Sequence, residues 1–232
     1  MSRNQELVDF AQHGLSGAAD PAKAAPMAAY MKTDMPFYGV QKPERARLFR
    51  EVKRRFPPAS RRGYESAVRA LWRLPHREEK YLALDYATTF LNKGGLDSIR
   101  LYQRLVREGA WWDLVDPIAA WIASPLLRDT RAEMQPVVER WIDHDDLWLR
   151  RTALLSQLRH KEQTDEQQLY DFCLRRADEK EFFIRKAIGW ALRDYSWTAP
   201  RSVEQFLREH GERLSGLSRR EAAKRLRPSR AG

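Results

Sequence analysis

The stretch Ala110-Trp111-Trp112-Asp113-Leu114-Val115-Asp116 sets two indoles beside two carboxylates. In a helix, Trp112 and Asp116 are four apart and share a face. Trp111 then shares its face with the apolar Leu114, Val115 and Ile118. The spacing predicts Trp111 in the core and Trp112 standing beside an acid. A flat ring next to a carboxylate suits contact with a sugar or a base. The same pattern also suits two core aromatics with an N-capping Asp, because most tryptophans serve burial.

A second constellation lies at residues 180–195. Ile184, Ile188, Ala191 and Tyr195 follow a core spacing, while Lys186, Trp190 and Arg193 fall at i, i+4 and i+7 on a different face. Trp190 therefore stands between two cations. It either faces a ligand or packs inward with the cations snorkelling around it. Gly189 costs roughly 1 kcal/mol against Ala inside a helix, which implies close approach of a neighbouring helix or a ligand. Arg150 and Arg151 follow Trp148; the planar guanidinium fork matches phosphate oxygens, although each could equally be a solvated charge. Arg219, Arg220, Lys224, Arg225, Arg227 and Arg230 form a dense cationic cluster. Contacts of that kind position a duplex without reading its sequence.

Other chemistry is missing from the sequence. It has no phosphate-binding glycine loop, no GxGxxG, no hydrolase elbow and no HExxH. The histidines, His13, His76, His144, His160 and His210, are scattered without metal-ligand spacing. Cys173, between Phe172 and Leu174, reads as a core residue. As the only cysteine it excludes an internal disulfide framework and a Cys-rich metal site, and it fits a reducing cytoplasm.

Composition narrows the partner. The 232 residues carry a net charge of +10, with 32% charged and 43% hydrophobic residues and eight tryptophans. Such an excess favours a polyanion, most often nucleic acid, on which aromatics among basic residues can stack. A basic but unspecialised surface and an acidic protein partner are the alternatives. No apolar run approaches 18 residues, and the first residues lack the apolar stretch of a secretory signal.

The elements that must hold these residues are helical throughout. Helices are predicted at about 4–14, from Pro21 through Met31, and at 42–56, 64–73, 77–92, 96–108, 112–123, 129–142, 146–160, 164–177, 180–195, 200–209 and 218–226. The 112–123 helix is expected to end before Ser124-Pro125, and Ser218 with Glu221 fits a capping box. Trp148-Leu149-Arg150-Arg151 matches Phe183-Ile184-Arg185-Lys186 in type at a step of 35, and the same step back from Arg151 lands on Asp116. Helix pairs at that period predict an all-α chain, an α-solenoid of HEAT-like pairs with a concave basic surface; an irregular bundle is the alternative. Asp116, Arg151 and Lys186 would then be neighbours. One domain is expected over 1–232, with a basic C-terminal helix and tail from about 218.

Four segments, PMAAYMKTDMPFYGVQKPER at 26–45, WWDLVD at 111–116, DLWLRRTALLSQL at 146–158 and KEFFIRKAIGWALRDY at 180–195, together with LSRREAAKRL at 217–226, resemble the AlkD-type DNA alkylation repair glycosylases. The resemblance implies HEAT-like repeats and a monofunctional, monomeric glycosylase. Such an enzyme removes positively charged bases, such as 3-methyladenine and 7-methylguanine, from double-stranded DNA without metal or cofactor. It implies Asp116 as the catalytic carboxylate and Trp112 and Trp190 against the lesion-bearing deoxyribose, with Tyr30 beside them. Arg151 would hold the nearby phosphate, with Arg150, Lys186 and Arg193 on the DNA-binding face. A cytoplasmic, nucleoid-associated bacterial protein is expected, away from membranes. The alternatives are a catalytically silent relative that binds damaged or branched DNA and a repeat scaffold for an acidic protein. Two positions depart from the pattern. Ala110 stands where a small hydroxyl residue is common. Pro117 is harmless in a first helical turn, but bends the chain near Asp116 if the helix starts earlier.

Overall fold

Asp, Ser and Pro set many of the helix starts. The computed structural model describes residues 2–226, which are helical without a strand. Their contacts divide into two compact units, one ending at Leu101 and the other starting at Tyr102. In the first unit, Ser2 caps α1 (Arg3–Gly17), Asp20 caps α2 (Pro21–Met31) and Ser60 caps α4 (Arg61–Trp72), each side chain accepting from a backbone amide within the first turn. α3 (Lys42–Arg55), α5 (Arg77–Thr89) and the short α6 (Leu91–Gly94) complete it. Leu7, Ala11 and Leu15 of α1 and Val68 and Leu71 of α4 are buried at helical spacing, with Leu82 and Tyr86 of α5. The break at Phe37-Tyr38-Gly39-Val40 is pinned by the buried Glu78, whose carboxylate accepts from the amides of Tyr38, Gly39 and Val40 at 2.9–3.1 Å. Gly39 has φ 84°, and a Cβ there would lie 2.0 Å from the Asp20 carbonyl, so only glycine fits.

α7 (Ile99–Gly109) spans the division between the units. Beyond it the second unit contains α8 (Trp112–Ile118), α9 (Ser124–Asp129), α10 (Arg131–Ile142), α11 (Leu147–Leu154), α12 (Glu166–Arg175), α13 (Phe182–Tyr195), α14 (Pro200–His210) and α15 (Gly216–Ala223). Ile184, Ala187, Ile188, Ala191 and Leu192 of α13 are fully or almost fully buried. Cys173 is buried on α12, and burial pushes its thiol pKa up.

Three boundaries differ from the sequence reading. Helicity does not stop before Ser124-Pro125. A wide π turn over Ala119–Ala123 joins α8 directly to α9, and Pro125, which lacks an amide, falls where the wide turn gives way to α9. The helix expected over 146–160 ends at Leu154, and the chain turns through Arg159 and Lys161, which adopt positive φ of 68° and 53°. At α15 the capping residue is Ser215, whose Oγ accepts from the Ser218 amide. Ser218 instead donates to the Arg185 carbonyl at 2.9 Å, and Glu221 turns to cations on α13. The predicted Ser218–Glu221 box is therefore replaced by a docking contact. Arg227 and Arg230 of the basic tail lie outside the described residues. Among the described residues no helix is long and apolar enough to cross a membrane.

Candidate active site

Ala110 reverses the chain between α7 and α8 with φ 37°, a left-handed conformation that an alanine adopts at a cost. That reversal starts α8 at Trp112, with Trp111 as its extended N-cap. Pro117 is therefore the sixth helical residue and lies outside the first turn. It removes the amide that would bond the Asp113 carbonyl, and the wide turn follows two residues later. Trp111 packs inward, its ring centroid 6.0 Å from Trp148 and 5.2 Å from Phe183.

Asp116, one turn after Trp112, meets Arg151 of α11 in a bidentate fork. Arg151 Nε donates to Oδ1 at 2.7 Å and Nη2 to Oδ2 at 2.8 Å, while Nη1 donates to the Phe183 carbonyl at 2.5 Å. The Arg151 side chain is 1% exposed and that of Asp116 20%. Burial pushes the Asp116 carboxyl above its ordinary value; the hydrogen bonds and charge of Arg151 oppose the rise, and the charge of Asp113 adds to it. The sequence reading gave Arg151 to a phosphate. The structure instead places a buried guanidinium that orients the acid, because the interior that holds Arg151 leaves its charge dependent on Asp116.

The Arg151 guanidinium also lies 5.1 Å from the Trp190 ring centroid, with Lys186 Nζ at 5.2 Å and the Arg193 guanidinium at 5.9 Å. Trp190 is half-buried, so the open choice about its face resolves into a ring flanked by three cations and still accessible. Trp112, Arg151, Phe182, Phe183, Lys186 and Trp190 line a cleft of about 170 Å³. Asp116, Arg151, Trp112, Trp190, Lys186 and Arg193 are thus gathered around one place.

Arg150 is not part of it. Its Nη1 donates to the His144 and Asp145 carbonyls, both at 2.7 Å, and its Nε and Nη2 meet the Glu179 carboxylate. It holds the turn before α11 and is not a free DNA contact. Tyr30, in the first unit, is 73% exposed near the end of α2, a helix none of whose residues is buried.

Glu221 was missed as a site residue. It is nearly buried and accepts from Lys186 at 2.8 Å, Lys224 at 2.7 Å and Arg193 at 3.0 Å. Burial alone would raise its pKa, but the hydrogen bonds and charges of Lys186 and Lys224 bring it down to about 2. Gly189 makes this possible, since a Cβ there would sit 2.4 Å from Glu221 Cβ and 2.8 Å from the Ser218 carbonyl. The close approach that Gly189 implied is that of α15. One more step of 35 from Lys186 lands on Glu221, and that was the signal available.

The profile of the family described as DNA alkylation repair enzyme matches residues 11–226. The chain belongs to that family. A solved structure described as a predicted DNA alkylation repair enzyme from Enterococcus faecalis shares 32% identity with it, covering 90% of this chain and 96% of that one with a TM-score of 0.83. The protein smu.31 from Streptococcus mutans UA159, at 15% identity, covers 80% of this chain and 98% of its own with a TM-score of 0.58, a likeness of fold alone. No curated protein matches the chain. Within the alkylation repair family, the gathered acid, arginine and tryptophans are the candidate reaction centre. Among the described residues, no group of three His, Cys, Asp or Glu side chains is placed to hold a metal ion.

Proposed function

We propose that this chain is a monofunctional DNA glycosylase that removes positively charged alkylated bases, 3-methyladenine and 7-methylguanine, from duplex DNA. The observation that carries the reading is a carboxylate locked by a buried arginine beside a cleft walled by two indoles. An alkylated cationic base leaves as a neutral molecule, so its departure needs no strong acid. As the C1′–N bond breaks, the sugar becomes oxocarbenium-like. Asp116, ionised and fixed, stabilises that charge and orients a water. Water adds hydroxyl to C1′ and one proton is released. The faces of Trp112 and Trp190 favour a cationic sugar by about 0.5–2 kcal/mol each. Arg151 keeps the acid aimed, Lys186 and Arg193 meet the DNA, and Tyr30, exposed on the first unit, is a further DNA contact. We further read the helix pairs as HEAT-like repeats with a basic concave surface, since Asp116–Arg151 and Lys186–Glu221 each join residues one 35-residue step apart. The working form is a monomer in the cytoplasm.

One observation favours the second reading, a relative that binds damaged or branched DNA without cutting. Both Asp116 oxygens are engaged by Arg151, as a purely structural acid would be. Incubation with duplex DNA methylated at N7 of guanine separates the two. The glycosylase reading predicts free base above the spontaneous rate, and its absence with duplex binding intact would favour the silent relative.

A further inference from the structure

We propose that a second cleft behind Trp190 is a nucleotide subsite. It would take an unstacked nucleotide of the strand whose sugar lies at the first cleft, with the base on Trp197 and the phosphate among Arg193, Lys224 and Arg225. The identity of the strand as DNA rests on the function proposed above. The cleft has a volume of about 620 Å³ and shares Trp190 with the smaller one, within the roughly 300–1,000 Å³ of small-molecule sites. Trp190, Arg193, Asp194, Trp197, Lys224 and Arg225 line it.

Trp197 is 69% exposed, and the Arg225 guanidinium lies 4.9 Å from its ring centroid. An indole this open, with a cation on one face, offers its remaining surface to a flat ring. The cations are held in advance. Glu221 grips Arg193 and Lys224, so a phosphate meets groups already ordered and less freedom is lost on binding. Among the residues lining the cleft Asp194 is the carboxylate, and its Oδ2 accepts the Arg159 amide at 2.8 Å, while Arg193, Lys224 and Arg225 outnumber its charge. That contact ties the strained turn at Arg159, φ 68°, to α13. Arg159 in turn lies over the exposed Trp121 of the wide turn, its guanidinium 3.5 Å from the ring centroid. Because Trp190 borders both clefts, a chain that reaches one can continue into the other, as a polynucleotide does and a free metabolite does not.

Trp197 and Arg225 are exposed, so substituting them leaves the core intact. The test measures affinity for three labelled duplexes: fully paired, with one unpaired nucleotide, and with that nucleotide abasic. The wild-type protein should bind the duplex with the unpaired base about tenfold tighter than the abasic one, the order of one base–aromatic stack. Trp197→Ala should abolish that difference and leave fully paired binding intact. Arg225→Ala should weaken all three and lower the salt slope by about one. Equal wild-type affinity for base and abasic forms, or a Trp197→Ala protein that retains the difference, overturns the subsite. Base release from methylated duplex, assayed on the same preparations, reports separately on the glycosylase reading: its absence would remove that reading while the affinity comparison still decides the cleft.

Discussion

Two acid–cation contacts in the second unit each join residues 35 apart and behave oppositely. Asp116 has one partner, Arg151, and the cost of burial outweighs that partner, so its carboxyl sits above the ordinary value. Glu221 is also buried, yet Lys186 and Lys224 outweigh the burial and take it down to about 2, with Arg193 bonded as well. The comparison teaches that the balance between burial and the cations at hand sets the charge state of each acid. An acid with three cations is a permanent anchor that fixes a helix and the charges around it. An acid with one cation is held in place while its charge remains costly, and a positive charge arriving nearby relieves that cost. A developing oxocarbenium sugar is such a charge.

The contrast is most strongly broken at Arg151. Arg151→Ala leaves Asp116 buried without its partner and should cost about 3–5 kcal/mol in a urea unfolding titration. A loss below about 1 kcal/mol, the range of exposed pairs, would mean the fork is a surface contact. Gly189→Ala comes next. The added Cβ meets Glu221 and the Ser218 carbonyl, and overpacking should cost about 1–3 kcal/mol against a helix-propensity gain of about 1 kcal/mol. A raised Tm would show that α15 is not clamped against α13.

Glu221→Gln sharpens the comparison through pH. The folded pKa of about 2 lies below the ordinary 4.5, so the contribution of Glu221 is complete above that ordinary value and is lost as pH falls toward about 2. Unfolding midpoints measured across this range should show the acid limb flattened in the Gln variant; an unaltered limb would contradict the anchor. Asp116 runs the other way. Its raised pKa means that ionisation opposes folding as pH climbs from the ordinary carboxylate value through the folded one, while activity, which needs the ionised form, rises over the same interval. The smallest effect is at Ala110. With φ 37°, Ala110→Gly should leave stability unchanged or raise it by up to about 1 kcal/mol. A clear loss would mean that the methyl group packs.

Helices were legible because apolar spacing and caps are local. Asp20-Pro21 and the face of α13 announce themselves within a few residues. Their limits failed where the decision was local but unusual, as at the wide turn that accommodates Pro117 and carries the chain through Pro125. That Trp112 and Asp116 come together, and Lys186, Trp190 and Arg193 likewise, was legible because one face of a helix gathers residues at i, i+4 and i+7. Roles were less legible than membership. Whether Arg151 meets a phosphate or an acid depends on burial, and the same guanidinium suits both. Arg150 and Arg151 are adjacent and look alike in sequence, yet one locks a turn and the other an acid. Glu221 read as a cap because Ser218 precedes it by three, a spacing that serves a helix start and a docking face equally well.

Whether Asp116 does chemistry and not only structure is decided by the single-turnover release of 7-methylguanine from duplex DNA by the wild-type protein and Asp116→Asn. The Asn variant keeps one oxygen for Arg151 but turns an NH2 toward the other guanidinium N–H and removes the counter-charge of a buried cation, so it should be less stable, and release is compared at a temperature below its measured unfolding midpoint. A catalytic Asp116 predicts base release by the wild-type protein and a fall of about 100–1,000-fold in the variant, with duplex affinity preserved. Release by a folded Asp116→Asn protein at the wild-type rate would contradict it.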